Sequence, residues 1–242
     1  MSVHVYECPE ELAEAAARES AARANEAIEE RGRFAVALAG GSTPKATYGI
    51  LARDYSGRID WSRVHVFFGD ERTVPPENDD SNYRMASETL LDHVSVGSVH
   101  RMRGELPPDE AAEAYEEELR TFFGAEDVPR FDLILLGVGG DGHTASLFPE
   151  TSALEVHDRW VVANPVLKLD TTRITLTVPV INEARAVTFL VAGGDKAEAL
   201  EKILEGDADP RAYPARLIQP RGGPEWMLDQ SAASLLGKES IS

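Results

Sequence analysis

The sequence contains one cysteine and no long apolar run. A single thiol, Cys8, excludes an intrachain disulfide and argues against a thiolate metal cluster. No apolar stretch approaches the roughly 20 residues of a transmembrane helix. The N-terminus also lacks the basic segment followed by an apolar one that marks a signal peptide. We therefore expect a cytoplasmic protein with no membrane partner.

Positive charge is also scarce. The chain has 24 lysines and arginines against 42 aspartates and glutamates, which gives a net charge of −18. This balance argues against a nucleic-acid partner, because phosphate backbones need a basic surface. Any phosphate site must then combine backbone N–H groups with a few cations. Such acidity is typical of proteins from a salty cytoplasm, but ordinary acidic bacterial proteins also have it. The only lysines are Lys45, Lys168, Lys196, Lys202 and Lys238.

Short apolar runs alternate with helical patterns along the chain. Residues 34–39, 64–68, 131–136 and 186–192 read as buried strands, and the Ala- and Glu-rich segment 10–30 reads as a helix. This alternation predicts an α/β fold with three layers, in which helices flank a mostly parallel central sheet. No repeat, linker or break in composition divides the chain. We predict one domain over residues 1–242, and a small lid within it is left open.

Three further segments give local predictions. In residues 173–178, RITLTV, apolar residues alternate with threonine, which predicts a strand with one wetter face. Leu217 and Ile218 are candidates for a last short strand. Residues 224–236 are expected to contain a terminal helix, with Trp226 as a packing residue.

Three predicted strands end in the same way, in glycine followed by polar residues. The three segments read AGGSTP (39–44), GDERTV (69–74) and GVGGDGH (137–143). The carboxyl ends of parallel strands share one edge of a sheet, and open sheets bind their ligands there. We expect the three loops to converge on one site.

The first of these loops has the composition of an anion site. Gly40, Gly41, Ser42 and Thr43 lie between a strand and a predicted helix. The loop N–H groups and the positive end of the helix dipole can point at one phosphate. A plain strand-to-helix turn is the alternative. The loop is not a Walker motif, because the GxxxxGK[ST] spacing is absent.

The third loop places an acid and an imidazole among four glycines. Histidine titrates near neutral pH, and a nearby carboxylate can fix its tautomer. Asp141 and His143 are two residues apart, so their side chains need not touch. Asp141 can instead orient a water or bind substrate hydroxyls, and a structural pair is a further alternative. The other five histidines are scattered, so we predict no metal site here.

The remaining candidates are charged residues near strand ends. Asp70, Glu71 and Arg72 directly follow a buried strand, and Arg72 can contact a substrate carbonyl or neutralise the two acids. Lys168 and Arg173 flank the start of another strand. They can supply a phosphate site with positive charge or be solvated surface groups.

Four of these segments together resemble a known family. AGGSTP, FFGDERTVPPENDDSNYRMA, FDLILLGVGGDGHTASLFP and RITLTVPVINEA occur in the order and spacing of the 6-phosphogluconolactonases. The wider superfamily includes glucosamine-6-phosphate deaminases, which share the GGSTP loop and a similar DGH turn. In those deaminases an asparagine–glutamate–proline sequence follows the histidine. Here SLFP follows, and the glutamate that would help to open an amino-sugar ring is missing.

The resemblance implies a variant of the Rossmann arrangement and hydrolysis of 6-phospho-D-glucono-1,5-lactone in the oxidative pentose phosphate pathway. It implies no metal or organic cofactor. His143 would be the base that activates water, Asp141 would support it, and Arg72 would stabilise the carbonyl oxygen. The substrate would be bound by Gly40, Gly41, Ser42, Thr43, Asp70, Gly140, Lys168 and Arg173.

Two other functions stay open at this point. A sugar-phosphate isomerase or deaminase of the same superfamily would share the loop and the turn. A non-catalytic sensor of sugar phosphates would keep the anion site without turnover. The sequence leaves open whether the protein is a monomer or a homodimer.

Overall fold

The computed structural model describes residues 1–124 and 126–237. The strands in this part of the chain are β1 (Ser2–Tyr6), β2 (Phe34–Leu38), β3 (Val64–Phe68), β4 (Asp70–Arg72), β5 (Ser98–Val99), β6 (Leu133–Leu136), β7 (Val161–Val166), β8 (Thr171–Leu176), β9 (Val187–Val191) and β10 (Glu225–Asp229). The helices are α1 (Pro9–Arg31), α2 (Ser42–Asp54), α3 (Asn82–Thr89), α4 (Pro108–Phe123), α5 (Val178–Glu183) and α6 (Ala197–Leu204). None of these described helices has the length and apolar character to cross a bilayer.

Seven strands form a parallel sheet in the order β1-β10-β9-β6-β2-β3-β5. The other three form a second, antiparallel sheet in the order β4-β8-β7. The prediction of a mostly parallel central sheet flanked by helices is confirmed. The antiparallel sheet was not foreseen. The organisation as one domain with an optional lid stays a prediction.

The central sheet is buried on both faces, as the apolar runs of its strands predict. Successive β2 side chains point to opposite faces. Ala35 and Ala37 belong to a buried cluster shared with α4, α5, α6 and β8. Phe34, Val36 and Leu38 belong to a second cluster shared with α1, α2 and α3. The polypeptide therefore packs as helices, sheet and helices, in three layers.

Two buried tyrosines fix the carboxyl ends of neighbouring strands. The Tyr48 hydroxyl, on α2, accepts from the Ala39 N–H and donates to the Ala39 carbonyl, both at 2.9 Å. The Tyr115 hydroxyl, on α4, accepts from the Phe68 N–H at 2.9 Å and donates to the Phe68 carbonyl at 3.1 Å. Burial raises the pKa of both phenols, so both stay protonated and can donate. Each tyrosine satisfies both backbone groups of a residue where its strand gives way to a loop.

Three local predictions were wrong. The predicted terminal helix is absent from the described residues, because turns follow β10 as far as residue 237. Trp226 itself lies in β10 and stacks on Phe189 with ring centres 3.8 Å apart, so it is a packing residue as predicted. Leu217 ends a 3-10 turn and does not form a strand. In β8, Thr175 is buried and not on a wet face, because its hydroxyl donates to the Leu176 carbonyl at 3.0 Å.

We expect Tyr48→Phe to lower the free energy of unfolding by about 1–3 kcal/mol. The substitution removes the hydroxyl and leaves two buried backbone groups of Ala39 unpaired. Urea denaturation followed by circular dichroism measures the change. Tyr55→Phe, at a partly exposed tyrosine, is the control and should change the value by less than about 0.5 kcal/mol. Wild-type stability in Tyr48→Phe would show that these hydrogen bonds do not hold the strand end.

Candidate active site

A cleft of about 520 Å³ opens at the carboxyl edge of the parallel sheet. The loops after β2, β3, β6 and β9 line it, and so does Arg173 of the antiparallel sheet. The predicted convergence of the three glycine-rich loops is therefore confirmed. The predicted residues that line the cleft are Gly40, Gly41, Ser42, Thr43, Asp70, Arg72, His143 and Arg173.

The side chains of Asp141 and His143 touch. Asp141 Oδ1 lies 2.6 Å from His143 Nδ1 and also accepts the His143 backbone N–H at 3.2 Å. The alternative in which the two side chains stay apart is thereby excluded. The sequence could not decide this, because contact between residues i and i+2 depends on how tightly the turn closes.

The charge on Asp141 determines the tautomer of His143. Burial raises the pKa of Asp141, but hydrogen bonds from His143 and Lys168 outweigh it and hold that pKa well below its usual range. An ionised carboxylate can only accept, so the neutral imidazole carries its proton on Nδ1. His143 Nε2 is then the basic nitrogen, on a ring that is 30% exposed and lines the cleft.

The glycine turn is shaped around this imidazole. A Cβ on Gly139 would lie 2.1 Å from His143 Nδ1 and 2.9 Å from Asp141 Oδ1, so no larger residue fits without moving the pair. The Gly139 N–H donates to the His143 carbonyl at 2.9 Å, and this hydrogen bond closes the turn. Close approach therefore explains one glycine in this dense run. Gly140 does not line the cleft, and its role in substrate binding stays a prediction.

The loop after β2 leads directly into α2. Gly41 precedes the first residue of the helix and has φ of 104°, a conformation that favours glycine. The N–H groups of Ser42 and Thr43 belong to the first turn and have no acceptor within the helix. These groups and the dipole of a 13-residue helix favour an anion at this end of the cleft.

Two arginines lie opposite each other on the antiparallel sheet. The pairing of β4 with β8 makes Arg72 the direct cross-strand partner of Arg173, and both line the cleft. Burial and the nearby Arg72 charge lower the pKa of Arg173, and its Nε is buried without a hydrogen-bond partner among the described residues. Like charges placed opposite each other are unfavourable, and an anion between them would relieve the repulsion.

Lys196 is a third cation at the cleft, which the sequence did not single out as a site residue. It follows β9 and the GGD sequence, forms an ion pair with Asp195, and its side chain is 25% exposed. The ending of β9 in glycine and polar residues resembles that of the three predicted loops. That shared pattern was the signal that could have identified it.

Lys168, by contrast, does not line the cleft. Its ammonium group pairs with the Asp141 carboxylate and lies 5.1 Å from the centre of the Phe148 ring. The side chain is 48% exposed. Of the two cations expected near the phosphate, the structure brings Arg173 to the cleft and Lys168 to the acid beside the imidazole.

The two acids after β3 have different environments. Asp70 is buried, lines the cleft, and accepts a hydrogen bond from the Ser146 hydroxyl at 2.6 Å. Glu71 accepts the N–H groups of Asn82 at 2.7 Å and Tyr83 at 2.8 Å, so it caps α3. Burial raises the pKa of Glu71, and these hydrogen bonds oppose that effect. Glu71 is therefore a structural residue.

Three residues that the sequence did not single out also contact the site. Asn82 donates to the Asp70 carbonyl at 2.9 Å, and Ser146 holds the Asp70 carboxylate. Phe148 stacks on His143 with ring centres 4.2 Å apart and planes at 21°. In the described part of the chain, no group of three or more His, Cys, Asp or Glu side chains is arranged to hold a metal ion.

The fold and the cleft define a class of α/β protein. This chain has a glycine-rich loop and an acid–imidazole pair at the carboxyl edge of a Rossmann-like sheet. The family model described as glucosamine-6-phosphate isomerases/6-phosphogluconolactonase matches residues 7–227. The chain belongs to this family, and the resemblance found in its motifs is confirmed.

Individual relatives agree with this assignment. A 6-phosphogluconolactonase from Synechocystis sp. is 49% identical over 219 residues, which cover 88% of this chain and 89% of the relative. The solved structure of 6-phosphogluconolactonase from Trypanosoma brucei has a TM-score of 0.88 at 30% identity and covers 98% of each chain. A monomeric glucosamine-6-phosphate deaminase shares the fold, with a TM-score of 0.80 at 24% identity over 97% of this chain and 100% of that one.

We expect Gly139→Ala to displace the His143 ring. The new methyl group would occupy space within 2.1 Å of His143 Nδ1, and the hydrogen bond to Asp141 must lengthen or break. Long-range ¹⁵N–¹H spectra of the imidazole measure the change, because they report which ring nitrogen carries the proton. Gly137→Ala is the control, since its Cβ would meet no atom within 4 Å. Unchanged His143 signals in Gly139→Ala would contradict the described packing.

Proposed function

We propose that this protein hydrolyses 6-phospho-D-glucono-1,5-lactone to 6-phospho-D-gluconate in the oxidative pentose phosphate pathway. The observation that carries the proposal is a single cleft that holds both an anion-binding loop and an imidazole bonded to a carboxylate. Membership of the family and the names of the relatives support it. The substrate is a phosphorylated sugar lactone, and the reaction needs no metal or organic cofactor.

The phosphate lies at the end of the cleft formed by the GGST loop. Backbone N–H groups of the loop bind its oxygens, and Arg173 and Lys196 neutralise its charge. This arrangement suits a protein with a net charge of −18, because it needs few cations. The phosphate is remote from the reacting carbon, so its binding energy holds the lactone ring in position for attack.

The hydrolysis is acyl transfer to water. His143 Nε2 accepts a proton from a water molecule as the water oxygen attacks the lactone carbonyl carbon. Arg72 stabilises the negative charge that develops on the carbonyl oxygen. The tetrahedral intermediate then collapses, the bond between the carbonyl carbon and the ring oxygen breaks, and the ring oxygen takes the proton from His143. Asp141 holds the imidazole in the required tautomer and stabilises its protonated form.

The segment after His143 favours the lactonase over the deaminase. Phe148 covers one face of the His143 ring, in the segment where the deaminases have an asparagine–glutamate–proline sequence. An apolar ring at this place cannot supply a carboxylate to an amino-sugar. Asp70 faces the cleft and can accept hydrogen bonds from the hydroxyl groups of the substrate.

We expect His143→Ala to lower kcat by about 100-fold or more, because general-base catalysis contributes at least that factor. Glucose-6-phosphate dehydrogenase generates the lactone in situ, and its decay is followed with and without the protein. His157→Ala is the control, since that histidine is exposed and does not line the cleft. Wild-type decay rates with His143→Ala would remove it from the role of base. Release of ammonia from glucosamine 6-phosphate, with no lactone turnover, would instead identify a deaminase.

We expect Arg173→Met to raise KM for the phosphorylated lactone by about 10-fold or more, with a smaller effect on kcat. Methionine keeps most of the length of the buried side chain, but the charge that neutralises the phosphate is lost. Hydrolysis of unphosphorylated glucono-1,5-lactone should hardly change in the same variant. An equal loss with both lactones would contradict the phosphate role and point to a general defect of the cleft.

A further inference from the structure

His143 and three neighbouring side chains form a closed ring of contacts. Asp141 bonds His143 at Nδ1, at 2.6 Å, and Lys168 pairs with the other oxygen of the same carboxylate. Lys168 also lies over the Phe148 ring, 5.1 Å from its centre. Phe148 closes the ring of contacts by stacking on the imidazole at 4.2 Å. Each of the four residues therefore contacts two of the others.

Two backbone features bring these side chains together. The turn after His143 reverses at Ala145, which has φ of 46°, and a bridge between Thr144 and Leu147 closes it. This reversal returns Phe148 to the face of the imidazole. Lys168 lies in the tight turn at the tip of the β7–β8 hairpin, and that turn is closed by Asp170 at φ of 47°.

The contacts restrain different rotations of the imidazole ring. The hydrogen bond to Asp141 fixes which edge of the ring faces the carboxylate, and the stack on Phe148 fixes the plane of the ring. Lys168 neutralises part of the Asp141 charge that would otherwise favour a protonated imidazole. A protonated imidazole cannot act as a base. The cation therefore favours the form of His143 that accepts a proton from water.

We propose that Lys168 and Phe148 are positioning residues for the base His143, Lys168 acting through Asp141 and Phe148 through the face of the ring. Lys168 is accordingly not a ligand of the phosphate. This inference rests on the proposed lactonase function and extends it to two residues outside the reacting groups. It also explains why a cation in so acidic a chain lies beside an acid, outside the lining of the cleft.

Other charges also act on His143 and must be considered in any pH experiment. Asp141 lies on its own turn, and Lys168 approaches from the β7–β8 hairpin. The remaining charges line the same cleft on other elements. They are Asp70 and Arg72 on β4, Arg173 on β8, and Asp195 and Lys196 after β9. None of these five changes in the variants below, so their influence is common to every measurement.

The first experiment uses Lys168→Met and the dependence of kcat/KM on pH. Without the cation, Asp141 favours the protonated imidazole more strongly, and the acid limb of the profile should move to higher pH. We expect a shift of about half a pH unit, which is about a threefold loss on the acid side. At alkaline pH the variant should equal the wild type. The difference should shrink at high ionic strength, because Lys168 is half exposed.

Matched variants separate the proposal from its alternatives. Lys168→Arg keeps the charge and should restore the wild-type profile. Lys202→Met makes the same substitution at a half-exposed lysine on α6 and should leave the profile unchanged. A raised KM for the phosphorylated lactone alone, with an unmoved acid limb, would identify Lys168 as a phosphate ligand and overturn the proposal. An equal loss of kcat/KM at every pH would overturn the proposal in favour of a purely structural role for Lys168.

The second experiment tests the stacked ring. Phe148→Leu keeps an apolar side chain but removes the stack, and we expect kcat to fall by about 3- to 10-fold with KM nearly unchanged. Phe148→Tyr retains the ring and should recover most of the activity. Wild-type kcat in Phe148→Leu, or a change confined to KM, would overturn the positioning role of Phe148.

A spectroscopic measurement separates failure of this inference from failure of the proposed function. The pH at which the His143 ring signals change is followed by nuclear magnetic resonance in wild type and Lys168→Met, without any substrate. We expect the change at higher pH in the variant, whatever reaction the protein catalyses. Coincident titrations would overturn the role of Lys168. Absence of lactone turnover by the wild type would overturn the proposed function and leave this result standing.

Discussion

The antiparallel pairing of β4 with β8 is the constraint on which the cleft depends. β4 directly follows β3 of the central sheet, yet its partner lies about a hundred residues further along the chain. The pairing draws the β7–β8 hairpin over the carboxyl edge of the parallel sheet. It places Arg72 opposite Arg173, and it brings Asp70 of β4 within reach of Ser146. Without this second sheet the three glycine-rich loops would line an open edge with few cations.

Electrostatics explain how so acidic a protein can offer a site for an anion. The backbone at the start of α2 supplies N–H donors without adding side-chain charge, and three cations, Arg72, Arg173 and Lys196, line the same cleft. Arg72 and Arg173 repel each other across the strands, and burial makes the charge on Arg173 costly. The negative charge of a bound phosphorylated substrate would offset that cost. The proposed anion would therefore relieve a cost that the empty cleft bears.

The sequence predicted the parts of the site that depend on local pattern. Strand ends in a parallel sheet must share an edge, so the convergence of Gly41, Arg72 and His143 followed from the alternation of strands and helices alone. Contacts between distant segments have no such local signal. The partner of Lys168 and the pairing of β4 with β8 are set by how a hairpin folds back on the sheet. The alternation of apolar residues with threonine in β8 also gave a wrong prediction of a wet face. Thr175 on that face is buried, and its hydroxyl forms a hydrogen bond within the protein.

The short segment after His143 connects the two sides of the site. Its reversal at Ala145 sends Ser146 to the carboxylate of Asp70 and returns Phe148 to the imidazole. One turn therefore orients the Asp70 carboxylate in the cleft and packs one face of the proposed base. The two roles need different side chains at nearby positions, a hydroxyl and an aromatic ring. A glutamate in this segment would place a second carboxylate near His143 and strengthen its protonated form, which a water-activating base must avoid. In the proposed function, the residues that surround His143 thus favour hydrolysis of a lactone over deamination of an amino sugar.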